Sequence, residues 1–337
     1  MKTIKTTCPY CGVGCGIVAK VIDDYHHIIE IQGDSEHPAN FGRLCTKGTN
    51  LADTVSLENR LLQPQVNGQV CDWKHATSQV ATGFQNIIKE HGADAVAFYV
   101  SGQSAVVGYK RAFGADAVPC NYEDLEQAEV IILIGSNTAW CHPVAFSRIR
   151  RAKEQNPNLR IVVIDPRKTA TCDIADLYLS IKPGMDALLF NGLLANLHLQ
   201  RKLNQQYIRQ YCEGFDDALN AALSEAADIN FVAAQCGLSE NDLQKFYSWF
   251  SDTEKVVSVY SQGINQSSTG SDKCNAIINC HLATGKIGRA GMGPFSFTGQ
   301  PNAMGGREVG GLANMLAAHL ELENPTHRDL VGRFWDS

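Results

Sequence analysis

The sequence predicts an α/β protein in which a small β-rich domain, stapled by cysteines, precedes doubly wound parallel-sheet domains of dinucleotide-binding type. Three observations carry this. Four of the twelve cysteines, Cys8, Cys11, Cys15 and Cys45, crowd the start of the chain. Further on, continuous Val/Ile-rich runs end in turn residues, as strands buried on both faces do. Stretches of helical periodicity separate those runs, the alternation that a parallel sheet requires.

Residues 1–57 hold the β-leaning stretches Gly16–Ile22 and His27–Gln32 but no long apolar period, and read as a metal-stapled domain. Residues 58–129, with a run from Asp94 to Val100 that ends at Ser101-Gly102, read as the first part of a split α/β domain. The next three runs belong to an α/β domain over 130–290. They are Glu129–Ile134 before Gly135-Ser-Asn137, Arg160–Ile164 before Asp165-Pro-Arg167, and Lys255–Tyr260 before Ser261-Gln-Gly263. Helices are expected over about 144–155, 186–201, 216–227, 239–251 and 272–284. Ser239 is read as an N-cap with Asp242 behind it, and Asp186 before Ala-Leu-Leu-Phe as another. Residues 291–337 read as a return to the split domain. No stop signal closes the final Gly332–Ser337, where Phe334 and Trp335 call for neighbours, so the chain reads as cut there.

With 337 residues, 44% of them hydrophobic, the chain can bury a core divided between domains. A net charge of −6 argues against the basic footprint of a nucleic-acid binder, so anionic ligands must be met locally. No apolar run is long enough to cross a bilayer, and the opening residues hold neither a secretory apolar core nor a twin arginine. A cytoplasmic protein without membrane or nucleic-acid partners is expected. Thiols stay reduced there, so clustered cysteines point to metal rather than disulfides.

Cys8-Pro-Tyr-Cys11-Gly-Val-Gly-Cys15 offers three thiolates from one tight loop, and Cys45 a fourth from a returning segment, the set that a [4Fe–4S] cubane requires. Gly12, Gly14 and Gly16 let backbone N–H groups approach the cluster sulfurs. Zinc is the rival reading, although structural zinc sites usually draw ligand pairs from two separate knuckles. The Gly12-Val-Gly14-Cys-Gly16 stretch follows no expected strand and opens no helix, so it is not a dinucleotide fingerprint. The other eight cysteines read as mostly buried inert thiols. Cys141-His142 reads as adjacent residues of an extended loop that point apart.

Ligands of an open parallel sheet bind at the carboxyl ends of its strands, beside helix N-termini. Gly135-Ser-Asn137, Asp165-Pro-Arg167-Lys-Thr169, Pro183-Gly-Met-Asp186 and Gln262-Gly-Ile-Asn265 all fall at such positions. Each alone reads more readily as an ordinary turn; their order behind a cluster motif is the signal.

With these stretches the sequence resembles the bis-molybdopterin guanine dinucleotide enzymes of the dimethyl sulfoxide reductase family, most closely its assimilatory nitrate reductases. The matching residues are Thr7–Gly16, Leu44–Gly48, Tyr109–Pro119, Gly135–Pro143 and Thr298–Gly310, and the resemblance spans nearly the whole chain. Those enzymes are much longer, so the chain is expected to be their first part.

The resemblance implies a [4Fe–4S] cluster on Cys8, Cys11, Cys15 and Cys45, with Lys47 relaying electrons between cluster and pterin. It implies a molybdenum bis(molybdopterin guanine dinucleotide) whose nucleotide ends meet Gly135, Ser136, Asn137, Asp165, Arg167, Gly184 and Asp186. Arg167 suits a phosphate, whereas the Asp186 carboxylate suits the hydrogen-bond donors of guanine. Gln262, Gly263, Asn265, Gly299, Gln300 and Asn302 would line the pterins, with Met304 and Arg307 facing a nitrate funnel. The implied reaction is reduction of nitrate to nitrite, with a reductase subunit or a ferredoxin as electron donor. Formate dehydrogenases of the same family and a non-catalytic iron–sulfur module are the alternatives. In the family, a loop carrying the molybdenum-binding cysteine lies between the first apolar strand and the Gly-Tyr-Lys-Arg-Ala-Phe-Gly match. Here Gln103 runs directly into Ser104, and no cysteine lies between Cys71 and Cys120. The expectation is a chain able to carry the cluster but with little or no nitrate reductase activity alone.

Overall fold

A computed structural model describes residues 2–22, 27–55, 57–58, 60–96, 105–300, 303–310 and 315–335. The N-terminal segment is a three-stranded antiparallel sheet in the order β1 (Lys2–Thr7), β2 (Gly16–Ile22), β3 (His27–Gly33). Thr7 pairs with Gly16, so the cysteine loop is the hairpin connection between β1 and β2. A short hairpin follows, β4 (Gln65–Val66) and β5 (Gln69–Val70). Then comes the helix Trp73–His91, capped by Asp72, whose side chain accepts from the His75 amide at 2.7 Å. None of its residues is buried, and Trp73 and Val80 are exposed.

The main body is a five-stranded parallel sheet built from β6 (Val130–Ile134), β7 (Arg160–Ile164), β8 (Leu177–Leu179), β9 (Val256–Tyr260) and β10 (Gly293–Ser296). Its order is β10-β9-β6-β7-β8, the arrangement of a doubly wound fold in which the chain leaves the centre in both directions. The helix Pro143–Gln155 crosses from β6 to β7, which pair in register from Val130–Arg160 to Ile134–Ile164. The alternation of the strands divides the core. Ile132, Ile134, Val162 and Ile164 pack with the helices Asp186–Leu199, Glu240–Asp252 and Gly270–Thr284. Ile131, Leu133, Ile161 and Val163 face the other way, against Pro143–Gln155 and the Val13, Ile17 and Ala19 side chains of the N-terminal segment. Each such side chain, fully buried, contributes about 1.5–3 kcal/mol. The cysteine-bearing segment is therefore fastened to the sheet by a shared core.

Several expectations are corrected. The run from Asp94 does not start as a strand: Ala93–Ala95 is a 3-10 turn, and 97–100 lie outside the described residues, as does the Gln103–Ser104 junction. Asp186 is not an N-cap, because Met185 takes that position and Asp186 sits in the first turn. Ser239 does cap its helix, accepting from the Asp242 amide at 3.1 Å. Strands β8 and β10 lie at the two sheet edges, where a three-residue strand and a proline are tolerated.

Candidate functional site

The cysteine loop is held by backbone geometry. The Cys8 amide donates to the Cys15 carbonyl at 2.8 Å and the Gly14 amide to Cys11 at 3.2 Å, with Gly14 at φ 63°. Asn40 pins the end of the loop, its side chain accepting from the Gly16 amide at 2.8 Å and donating to the Gly16 carbonyl at 3.1 Å. Tyr122 Oη lies within hydrogen-bond distance of the Gly12 and Val13 carbonyls, at 3.3 and 3.0 Å. A side chain at Gly12 is impossible without movement, since its Cβ would fall 1.8 Å from the Thr298 carbonyl oxygen. Cys45 arrives from the other side as the residue that precedes the short helix Thr46–Thr49, which carries Lys47.

The four thiols sense one another. Burial, and after it negative charge on Cys11, Cys8 and Cys45, pushes the Cys15 thiol up to about 12. Burial also raises Cys11, opposed by the nearby Lys47 ammonium. Ligating as thiolates, these groups need a strongly cationic centre to offset burial and mutual repulsion. Among the described residues, no three His, Cys, Asp or Glu side chains close on one point tightly enough to hold a single ion. Four thiols within electrostatic reach of one another, three from one loop and the fourth from a returning segment, fit a multi-iron cluster by donor set.

A cleft of about 860 Å³ opens beside this loop, at the carboxyl ends of β6, β7 and β9, where the winding of the sheet reverses. At its floor two glycines meet: the Gly263 amide donates to the Gly135 carbonyl at 3.0 Å, and a Cβ on Gly263 would sit 2.7 Å from Gly135. Gly135 has φ 52° and Gly184 φ 91°, conformations suited to glycine. The helices Pro143–Gln155, Asp186–Leu199 and Gly270–Thr284 all begin near the cleft, so their amide ends favour an anion. The cleft fits a phosphate-bearing ligand: glycine backbone lies at its floor, and its lining carries Lys47 and Arg167.

The structure brings Lys47, Gly135, Asn137, Asp165, Arg167, Gly184, Asp186, Gln262, Gly263 and Gly299 into this one cleft with Cys11. Ser136 lies beneath it, buried, with its hydroxyl 2.8 Å from that of Thr138. Asn265 is buried outside the lining, and among the described residues neither its Oδ1 nor Gln300 Oε1 has a hydrogen-bond partner. Asn302 lies outside the described residues; Met304 and Arg307 belong to the helix Ala303–Glu308, their side chains outside the description.

Two lining features had no part in the site read from the sequence, the Cys141-His142 pair and Lys273. Cys141 and His142 do not form an extended loop: Cys141 ends the short helix Thr138–Cys141, exposed, and His142 precedes Pro143, buried. The Thr298 carbonyl can only accept, so His142 Nε2 carries the proton in their 2.6 Å contact. Lys273 is the other, and it pairs with Asp186 at 2.8 Å. No pattern marks a lysine early in a helix as buried. Of the other cysteines, 172, 236, 274 and 280 are buried, and burial raises all four thiols.

Comparison with known proteins places the chain. Residues 108–332 match the molybdopterin oxidoreductase family, and residues 1–57 match the molybdopterin oxidoreductase Fe4S4 domain. A nitrate reductase of Klebsiella oxytoca is 48% identical over 369 aligned positions covering 100% of this chain and 41% of the relative. One from Shewanella frigidimarina is 44% identical, covering 99% and 39%. The chain thus spans about two fifths of the length of these relatives. The 369 aligned positions also exceed the chain's 337 residues, so the Klebsiella protein holds residues with no counterpart here. Among solved structures, acetylene hydratase from Pelobacter acetylenicus superposes with a TM-score of 0.58 at 17% identity, covering 83% of this chain and 43% of that one. That likeness concerns the fold.

Proposed function

Because this chain belongs to the molybdopterin oxidoreductase family, we propose that it is the cluster- and nucleotide-binding part of a nitrate reductase. The observation that carries this is the continuity of one cleft from Cys11 and Lys47 to the carboxyl ends of the three central strands. Cys8, Cys11, Cys15 and Cys45 hold the cluster. Lys47, whose ammonium acts electrostatically on both Cys11 and His142, occupies the gap that an electron must cross. Gly135, Ser136, Asn137, Asp165, Arg167, Gly184 and Asp186 serve the guanine dinucleotide ends, Arg167 as phosphate partner and Asp186 as acceptor for guanine N–H groups. Gln262, Gly263, Asn265, Gly299, Gln300 and Asn302 line the pterins, and Met304 and Arg307 face incoming nitrate, the arginine attracting the anion.

When bound, the molybdenum centre supplies two-electron oxygen-atom chemistry. Nitrate takes up two electrons and two protons and leaves as nitrite and water, the electrons arriving singly from a reductase subunit or ferredoxin. The twelve cysteines are all free, in keeping with a reducing, cytoplasmic setting, and among the described residues no helix is long and apolar enough to cross a membrane.

The stretch the chain lacks is read at the Gln103–Ser104 junction, which leaves no cysteine between Cys71 and Cys120 to ligate molybdenum. A cofactor held by part of its cradle binds loosely, so the chain alone carries the cluster with little nitrate reductase activity. The second reading, a non-catalytic iron–sulfur module, is favoured by that same missing cysteine. Metal analysis of anaerobically purified protein, with a methyl viologen assay, tests both. Iron with molybdenum taken up when the cofactor is supplied supports the first; iron with no molybdenum even then supports the second. Stoichiometric zinc without iron overturns the cluster itself.

A further inference from the structure

Lys273 and Asp186 form a buried pair at the nucleotide end of the cleft, and the functional reading gives the lysine no task. Lys273 Nζ lies 2.8 Å from Asp186 Oδ2, with the two side chains 5% and 11% exposed, and both residues line the cleft. They come from different helices: Asp186 opens Asp186–Leu199, and Lys273 stands in the first turn of Gly270–Thr284. Either charge alone at this depth would be strongly disfavoured, whereas together they cancel. A neutral pair adds little attraction for a diphosphate. What it does is hold Asp186 in one orientation, with Oδ2 anchored at 2.8 Å and no hydrogen bond from the described residues on Oδ1. A carboxylate fixed in this way accepts from two neighbouring N–H donors. Guanine presents such donors side by side at N1 and N2; adenine presents an acceptor at N1 instead.

We propose that Lys273 is a positioning residue that makes the cleft select guanine over adenine nucleotides, by fixing the Asp186 carboxylate. This rests on the guanine dinucleotide reading above and deepens it. The competing role for a cleft lysine is direct contact with phosphate, which would serve both nucleotides equally.

The test is calorimetric titration of the 337-residue chain, purified without its pterin, with GDP and with ADP. The wild type should prefer GDP. Asp186→Asn and Lys273→Gln should each cut that preference by roughly tenfold or more, the scale of one good bidentate pair. ADP affinity should stay within about threefold of wild type in both variants, which also reports an intact fold. Lys273→Arg, which retains the ion pair, should keep most of the preference. Equal losses for GDP and ADP in Lys273→Gln, or an unchanged preference, overturn the positioning role and leave the guanine reading standing. A wild-type chain that binds GDP no better than ADP overturns both.

Discussion

Replacing Arg148 with methionine should loosen the cysteine-bearing segment from the sheet without touching a proposed ligand. Arg148 lies on the helix Pro143–Gln155 with its side chain 3% exposed. It donates to the Pro38 and Ala39 carbonyls at 2.8 and 3.3 Å and to Glu126 at 2.8 Å. Its guanidinium also lies 5.5 Å from the ring centre of Phe41 and 5.4 Å from that of Tyr122. Nη2 approaches Glu123 at 3.6 Å, an ion-pair separation without a hydrogen bond. The two carbonyls would lose a charged donor, at about 1.5–3 kcal/mol per bond. Glu123 and Glu126 are 44% and 45% exposed, so solvent screening limits those pairs to about 1 kcal/mol at most. Methionine refills part of the apolar volume. The net is about 3 kcal/mol, borne by the contact between segment and sheet, which raises the locally opened population roughly a hundredfold. Chelator-driven iron loss from the reconstituted chain reads that population, with Arg151→Met, exposed on the same helix, as control. Iron loss within about twofold of wild type in Arg148→Met would refute the clamp.

Three further outcomes follow from the same structure. Cys45→Ser should lower iron from about four per chain after anaerobic reconstitution; a full, stable complement in that variant would remove Cys45 from the ligand set. Gly12→Ala places a methyl 1.8 Å from the Thr298 oxygen, so it should lower the urea midpoint by an amount worth about 1–3 kcal/mol. Gly83→Ala, with open space around it, should not, and equal behaviour of the two would contradict the close approach. Burial holds the His281 imidazole down at about 3, and the unfolded chain takes up a proton near pH 6.5 that the folded chain refuses. This contribution to stability is whole above pH 6.5 and is lost as pH falls from there toward 3, by up to about 1.4 kcal/mol per pH unit. Between pH 7.5 and 5.5, wild type should therefore lose roughly 1 kcal/mol more than His281→Asn, and parallel losses in urea titrations would rule the residue out.

What could be seen in advance was what local chemistry writes plainly. Val130–Ile134 and Val256–Tyr260 are buried on both faces, so their continuous apolar runs announce them, and the small polar residues behind them mark the cleft. Strand β10 was hidden by its own Gly293-Pro294, since only its place at the sheet edge makes that pair acceptable. The helix Trp73–His91 was passed over although Val80, Phe84, Ile87 and Ile88 recur on it at helical spacing, a stripe that here stays exposed. Nothing local in the sequence singles out Lys273 or Arg148, because burial of a charge depends on partners far away in sequence, Asp186 for one and Pro38 for the other. Asp186 was misjudged by one position, as Met185 takes the cap and turns the carboxylate toward Lys273.

The two candidate sites share a joint, and its geometry explains why position 12 of the cysteine loop must be glycine. The Thr298 carbonyl touches Gly12 of that loop and accepts from His142 at the start of Pro143–Gln155. One residue earlier, the Phe297 amide donates to Tyr260 at the end of β9, and the Ser261 hydroxyl donates to the Phe297 carbonyl, both at 2.8 Å. One residue later, Gly299 lines the cleft, with Gln262 lying over it. A single run of backbone therefore joins the thiol loop, a helix start and the central strands. Backbone contacts fix distances better than long side chains do, because no rotamer freedom intervenes. Electron transfer between two bound groups needs such a fixed separation. A residue larger than glycine at position 12 would widen the gap by moving the loop, even with every thiol and every cleft residue unchanged. The close approach of the Thr298 carbonyl thus holds position 12 to glycine independently of what the thiols bind.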